Sequence, residues 1–141
     1  MRWLLIVVGW LCAGAALAAE PVVFQARTAR SGNWSDAATW ENGRRPAAGN
    51  FVLVRNGNRV VYDVDSADPL RMIHVAGTLS FSRDKSTLLV VGLIKIEAGE
   101  TATEDGFDCS EAAVADHAHH QHGPAERPAL EIGTREQPIP A

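Results

Sequence analysis

Two stretches of the chain, MIHVAGTLSF (72–81) and STLLVVGLIKIEAGE (86–100), alternate apolar and other residues and then break the pattern with a glycine. Period-two alternation marks a β-strand with one buried face. In the first stretch Ile73, Val75, Leu79 and Phe81 share one face, and His74, Ala76, Thr78 and Ser80 share the other. In the second, Val90, Ile94 and Ile96 point inward, with Lys95 and Glu97 outward. Gly77 and Gly92 interrupt the inward rows, which predicts a bend or a close backbone approach at each. Strand, glycine bend and strand, repeated at the interval from Gly77 to Gly92, fit a short β-solenoid of the right-handed β-helix type, whose coils stack into one core. A compact β-sandwich is the alternative. The chain is all-β in either case, because no window between Glu20 and Glu100 sustains helical apolar spacing with caps.

Further strands are expected at FVLV (51–54), RVVYDV (59–64) and ALEI (129–132), the first two separated by the turn residues NGN (56–58). In 59–64, Val60, Tyr62 and Val64 share one face, and Val61, Asp63 and Asp65 the other. Upstream, SGNWSDAATWENGRRPAAGN (31–50) has a loop's composition yet holds two of the four tryptophans. Rings this large supply buried area first, so Trp34 and Trp40 are expected to cap the open N-terminal end of the sheets. The alternative is a stacking platform for sugar rings.

The segment 1–18 reads as a secretory signal peptide: Arg2, an apolar run from Trp3 to Leu17, and an Ala-x-Ala site at Ala16 and Ala18. The run is short for a bilayer span, and Trp10 and Leu11 are too bulky for a lipobox before Cys12. Secretion to an extracellular or periplasmic compartment follows, with no stable membrane span after cleavage. The remaining domain, 19–141, keeps one cysteine, Cys109, so no intrachain disulfide forms. Its net charge moves from −4 to −5 on losing Arg2, which argues against broad nucleic-acid binding. The segment 103–128 reads as an acidic, His-rich loop or insertion, with no Lys or Arg between Ile96 and Glu126.

A family resemblance is visible in these stretches. GNWSDAATWENGRRPAAGNFVLV, VVYDVDSADPLRMIHVAGTLSF, LLVVGLIKIEAGE and ALEIGTREQPI, taken in order, resemble the G-eight domain over about residues 30–138. Its central Ile-x-Val-x-Gly-Thr-Leu core is matched by Ile73, Val75, Gly77, Thr78 and Leu79, and its Ile-Gly-Thr segment by Ile132, Gly133 and Thr134. The resemblance implies a β-rich module of extracellular and cell-surface proteins, fibrocystin-like and hyaluronan-binding ones among them. Such modules sit ahead of a longer β-helix. It further implies binding of a polysaccharide or another extracellular ligand, and in some relatives a part in hyaluronan breakdown. The family pattern continues past the Ile-Gly-Thr segment, so the chain is expected to be an incomplete module, a fragment whose downstream β-helix is its partner.

Three groups of side chains are candidates for chemistry. Asp63 and Asp65, with His74 on a neighbouring outward face, offer the paired carboxylates and imidazole of acid–base glycan hydrolysis; an ordinary solvated strand face is the alternative. Trp34, Trp40, Arg55, Arg59 and Arg71 are candidate contacts for a polysaccharide or surface glycan, the arginines serving otherwise as bridges to the nearby aspartates. Asp116, His117, His119, His120 and His122, in DHAHHQHG, carry ligands suited to Zn²⁺ or another divalent metal, although their spacing matches no closed site and no cofactor is required. Noncovalent recognition is the leading expectation, with catalysis and metal binding behind it.

Overall fold

A computed structural model describes residues 20–104 and 127–133. The described residues form eight strands: β1 (Ala26–Arg27), β2 (Gly32–Asn33), β3 (Phe51–Val54), β4 (Arg59–Tyr62), β5 (Asp65–Val75), β6 (Thr78–Phe81), β7 (Leu88–Ile96) and β8 (Ala129–Glu131). Odd strands form one four-stranded sheet, sheet I, in the order β1-β3-β5-β7. Even strands form sheet II, in the order β2-β4-β6-β8. Every neighbouring pair is parallel.

That topology has one winding. The chain crosses from sheet I to sheet II and back, each return placing a strand beside its counterpart one turn earlier, so each odd–even pair is one coil of a solenoid. The two sheets also share one apolar core, so the solenoid and the sandwich describe the same two layers. Val52, Val54, Ile73 and Val75 of sheet I meet Val60, Tyr62 and Leu79 of sheet II there.

The coils stack in register. Ala26, Val52, Ile73 and Ile94 form one column of sheet I. Gly32, Val60, Leu79 and Leu130 form its counterpart in sheet II. Val52, Ile73 and Ile94 recur at equal intervals, and that interval is longer than the one between Gly77 and Gly92. The coil period is therefore set by the stacked column and not by the glycines. The two glycines occupy different places. Gly77 turns the corner from β5 to β6, where it and Ala76 both donate their N–H groups to the Val54 carbonyl, at 3.0 and 2.8 Å. Gly92 lies inside β7, which continues through it.

Gly92 still changes the strand. Leu89, Val91 and Ile94 pack against the shared core, whereas Leu93 packs on the opposite side of the sheet. The alternation therefore slips between Val91 and Ile94, and a slip by one position exchanges faces. This corrects the inward assignment of Val90, which is 38% exposed. Ile96 keeps the inward face of Ile94, beside Val75, and is 40% exposed because β7 is the last strand of its sheet among the described residues. Their paired strand shows the same slip, with Leu70 and Ile73 in the core and Met72 outside it.

The N-terminal end is closed by the tryptophans. Trp40 makes an antiparallel bridge with Thr28 and is 2% exposed; Trp34, which follows β2, is 5% exposed. The rings meet edge to face with centroids 4.8 Å apart, and Trp34 meets Tyr62 in the same manner at 5.0 Å. Trp40 Nε1 donates to the Trp34 carbonyl at 2.9 Å, satisfying the indole's only donor. Two 3-10 turns, Ala37–Thr39 and Glu41–Gly43, fold the intervening chain, the first capped by the Asp36 side chain accepting from Ala38 N.

The outer faces of the two sheets differ. That of sheet I is covered: Phe24, Leu53, Met72, Ala76 and Ala102 make a second apolar cluster beneath the segments at 20–24 and 97–104. Those segments are tied together by Val22 N donating to the Ala102 carbonyl at 2.8 Å. The outer face of sheet II carries a groove.

Candidate functional site

Strand periodicity builds that groove. The column Asn33, Val61, Ser80 and Glu131 alternates with the inward column of sheet II and so points outward. It floors a groove of about 840 Å³, walled by Ser82, Arg83, Asp84 and Lys85 of the β6–β7 connection and by Ile132 and Gly133 after β8. Asp63, at the corner between β4 and β5, closes one side. A second cleft of about 450 Å³ has Trp34 and Tyr62 among its lining, with Ser35, Arg45, Val64, Ser66, Asp68 and Leu70 around them.

The groove and cleft share a wall made by one hydrogen-bonded pair. Asp63 is 7% exposed and accepts from the Ser35 amide at 2.9 Å and the Ser35 hydroxyl at 2.7 Å. Lys85 Nζ adds an ion pair at 3.3 Å. Burial pushes the Asp63 carboxyl up, but the two Ser35 donors and Lys85 outweigh it and hold the group below its ordinary value. Because the folded-state pKa is the depressed one, this pair contributes stability above the ordinary carboxylate range. The contribution is lost as pH falls through the folded-state value. Ser35→Ala is therefore expected to cost about 1.5–3 kcal/mol at neutral pH, the range for a hydrogen bond to a charged group. It should also move the onset of acid unfolding upward, read from urea midpoints measured between roughly pH 2 and pH 7. An unchanged acid limb in that variant would mean Asp63 is not the linked group.

Burial raises the neighbouring Tyr62 hydroxyl, and the Asp65 and Asp63 charges raise it further, so the phenol keeps its proton. It donates that proton to the Leu88 carbonyl at 2.7 Å.

The structure separates the candidate acid–base trio. Strand β4 ends at Tyr62, so Asp63 and Asp65 straddle a corner and do not share a strand face: Asp63 is pinned to Ser35 while Asp65 is exposed. His74 lies near the far end of β5 from Asp65, roughly 20 Å or more away at the usual rise along a strand. It does point out of sheet I, but it is fully buried, and its Nε2 donates to the Gly99 carbonyl at 2.9 Å.

The candidate glycan contacts are also dispersed. Neither tryptophan presents a free ring face, since both are buried against each other and Tyr62. Trp34 reaches solvent only where it lines the second cleft. The bridges from Arg55 and Arg71 run to glutamates and not to the nearby aspartates. Arg55 pairs with Glu41 and Glu100, and Arg71 holds Glu104 through two bonds of 3.0 Å. Arg59 opens β4, its amide donating to the Ser31 hydroxyl at 2.9 Å. Asp116, His117, His119, His120, His122 and Cys109 lie outside the described residues. Among the described residues there is no group of three or more potential metal ligands, and no helix is long and apolar enough to cross a membrane.

Sequence reading misses Asn33, Ser80, Arg83, Lys85 and Glu131 as neighbours. Ser80 is legible as outward-facing, but only the register across β2, β4, β6 and β8 brings it beside the others.

No curated protein and no solved structure matches the chain. Residues 39–141 match a family model described as the G8 domain. That span covers well over half of the sequence, so this β-rich chain belongs to the G8 domain family.

Proposed function

We propose that the chain is a secreted, noncovalent recognition module for a polysaccharide or surface glycan, bound on the outer face of sheet II. The observation that supports this best is the groove itself. It is wide and open, and amide, hydroxyl and charged side chains line it on a rigid parallel sheet. Hydroxyl-rich ligands are recognised by such fixed donors and acceptors, and an apolar contact comes from Val61 on the groove floor. Asp63 suits a positioning role better than proton transfer, because it already accepts from Ser35 and Lys85. Isothermal titration of the secreted chain with a panel of oligosaccharides tests the reading. Binding should appear without turnover, and Glu131→Gln should weaken it about tenfold, the loss of one charge-assisted hydrogen bond. Saturable binding left intact by that variant would move the site elsewhere.

A second role is favoured by the other end of the solenoid. Among the described residues, strands β7 and β8 are the last in their sheets, and Leu88, Val90 and Ile96 of β7 are 45%, 38% and 40% exposed. A parallel edge with apolar side chains is a template for another strand. The module thereby serves as the N-terminal cap of a longer β-helix, its tryptophans sealing one end and β7 and β8 receiving the next coil.

A further inference from the structure

Resting on the glycan reading above, we infer that the ligand is an uncharged, hydroxyl-rich chain, not a polyanion, and that it lies across both the sheet II groove and the Trp34–Tyr62 cleft. The charge inventory carries the first half. The groove is lined by three carboxylates, Asp63, Asp84 and Glu131, against two cations, Arg83 and Lys85. Lys85 is already committed to Asp63. The second cleft sets Arg45 against Asp68. Among the other described cations, Arg30 pairs with Asp36, Arg55 with Glu41 and Glu100, Arg71 with Glu104 and Lys95 with Glu97, while Arg27, Arg44, Arg59 and Arg127 line neither concavity. A uronate or sulfate chain needs cations whose charge is not cancelled, and it is repelled where acids outnumber bases. A neutral chain needs only donors and acceptors, and Asn33, Ser80 and Glu131 supply them in one column across the strands.

The Ser35–Asp63 pair carries the second half. Ser35 lines the cleft, Asp63 lines the groove, and the two side chains are hydrogen-bonded at 2.7 Å. The two concavities are thus the two sides of one low ridge. A chain running over it meets the polar column first and the aromatic cleft next, so affinity should grow with ligand length until both are filled.

The test is titration of the chain with neutral di- to hexasaccharides of glucose, xylose, mannose and N-acetylglucosamine, and with hexasaccharides bearing uronate or sulfate. It is run at low and high salt. A neutral series is expected to bind, to tighten at least tenfold from disaccharide to hexasaccharide, and to change by less than about twofold with salt. Ser80→Phe, which plugs the groove floor, should abolish the gain with length; Asn33→Ala, on the same floor, replaces it if Ser80→Phe does not fold. Tighter, salt-sensitive binding of the uronate or sulfate chains would overturn the neutral class and leave the glycan site standing. Affinity that does not grow with length would overturn the two-part site. No binding of any hexasaccharide at millimolar concentration would overturn the glycan reading, and this inference with it.

Discussion

Trp40→Ala is expected to cost about 3–5 kcal/mol, the range for emptying a large aromatic site. The ring is 2% exposed, it meets Trp34 edge to face, and its indole N–H holds the Trp34 carbonyl. Against a total stability of about 5–15 kcal/mol, that loss unfolds much of the population or moves the urea midpoint far down. Trp40→Phe keeps most of the apolar volume and loses the one donor, so it should cost much less, about 1 kcal/mol for the hydrogen bond plus a small cavity term. Equilibrium urea unfolding followed by far-ultraviolet circular dichroism separates the two variants. A folded Trp40→Ala chain with an unshifted midpoint would remove the ring from the cap.

Gly77→Ala should be nearly as damaging, for a different reason. A Cβ at this corner would collide with two backbone carbonyls of the preceding coil, those of Arg55 and Asn58. Neither carbonyl can retreat freely, since Asn58 O accepts from Thr78 N at 2.9 Å and Arg55 O closes the turn by accepting from Asn58 N at 3.1 Å. The cost should reach about 3 kcal/mol, the upper end for overpacking a site that cannot relax. Gly92→Ala meets the Arg71 carbonyl oxygen at 2.9 Å as its one close contact and should lose about 1 kcal/mol. Gly57, at φ +77° with open space around it, should accept Asn with little change. Thermal midpoints that reversed the order of Gly77 and Gly92 would argue that coil stacking at the β5–β6 corner is looser than described.

The contrast between those glycines also measures how far the sequence speaks for the fold. FVLV, the strand after NGN, the two halves around Gly77 and the final ALEI all stand out, because each pairs an apolar face with turn residues. Strands β1 and β2 do not, because they are too short to show an alternation. Strand β5 begins at Asp65, well before its legible part, since its first residues face solvent and include Pro69. The coil period is carried by three short apolar runs, FVLV, MIHV and LIKI, whose third position changes from Leu53 to His74 and Lys95, so the repeat is fainter than the glycines that punctuate the chain.

The site is less legible than the fold for the same physical reason. Asp63 reads as one of two aspartates on a strand face. Its partner Ser35 is 28 residues upstream in a loop, and only the closed N-terminal coil brings them together. The tryptophans are legible as a cap because size alone argues for burial. Their availability as contacts is not, since burial and cleft-lining are properties of neighbours. His74 lies on the outward face assigned to it, but its exposure depends on the 97–104 segment, whose composition gives no sign that it folds back over sheet I.

The corner between β7 and β8 runs from position 97 to position 128, where the equivalent corner between β3 and β4 needs only 55–58. Loop-closure entropy rises only with the logarithm of length, so lengthening a corner of a stacked coil costs little. The parallel register of β6 and β8 fixes the far flank of that connection, and the register of β5 and β7 its near flank, regardless of what lies between them. This corner is consequently where chain is added at least cost to the stacked coils, provided that 97–104, which covers His74 and the outer face of sheet I, is kept.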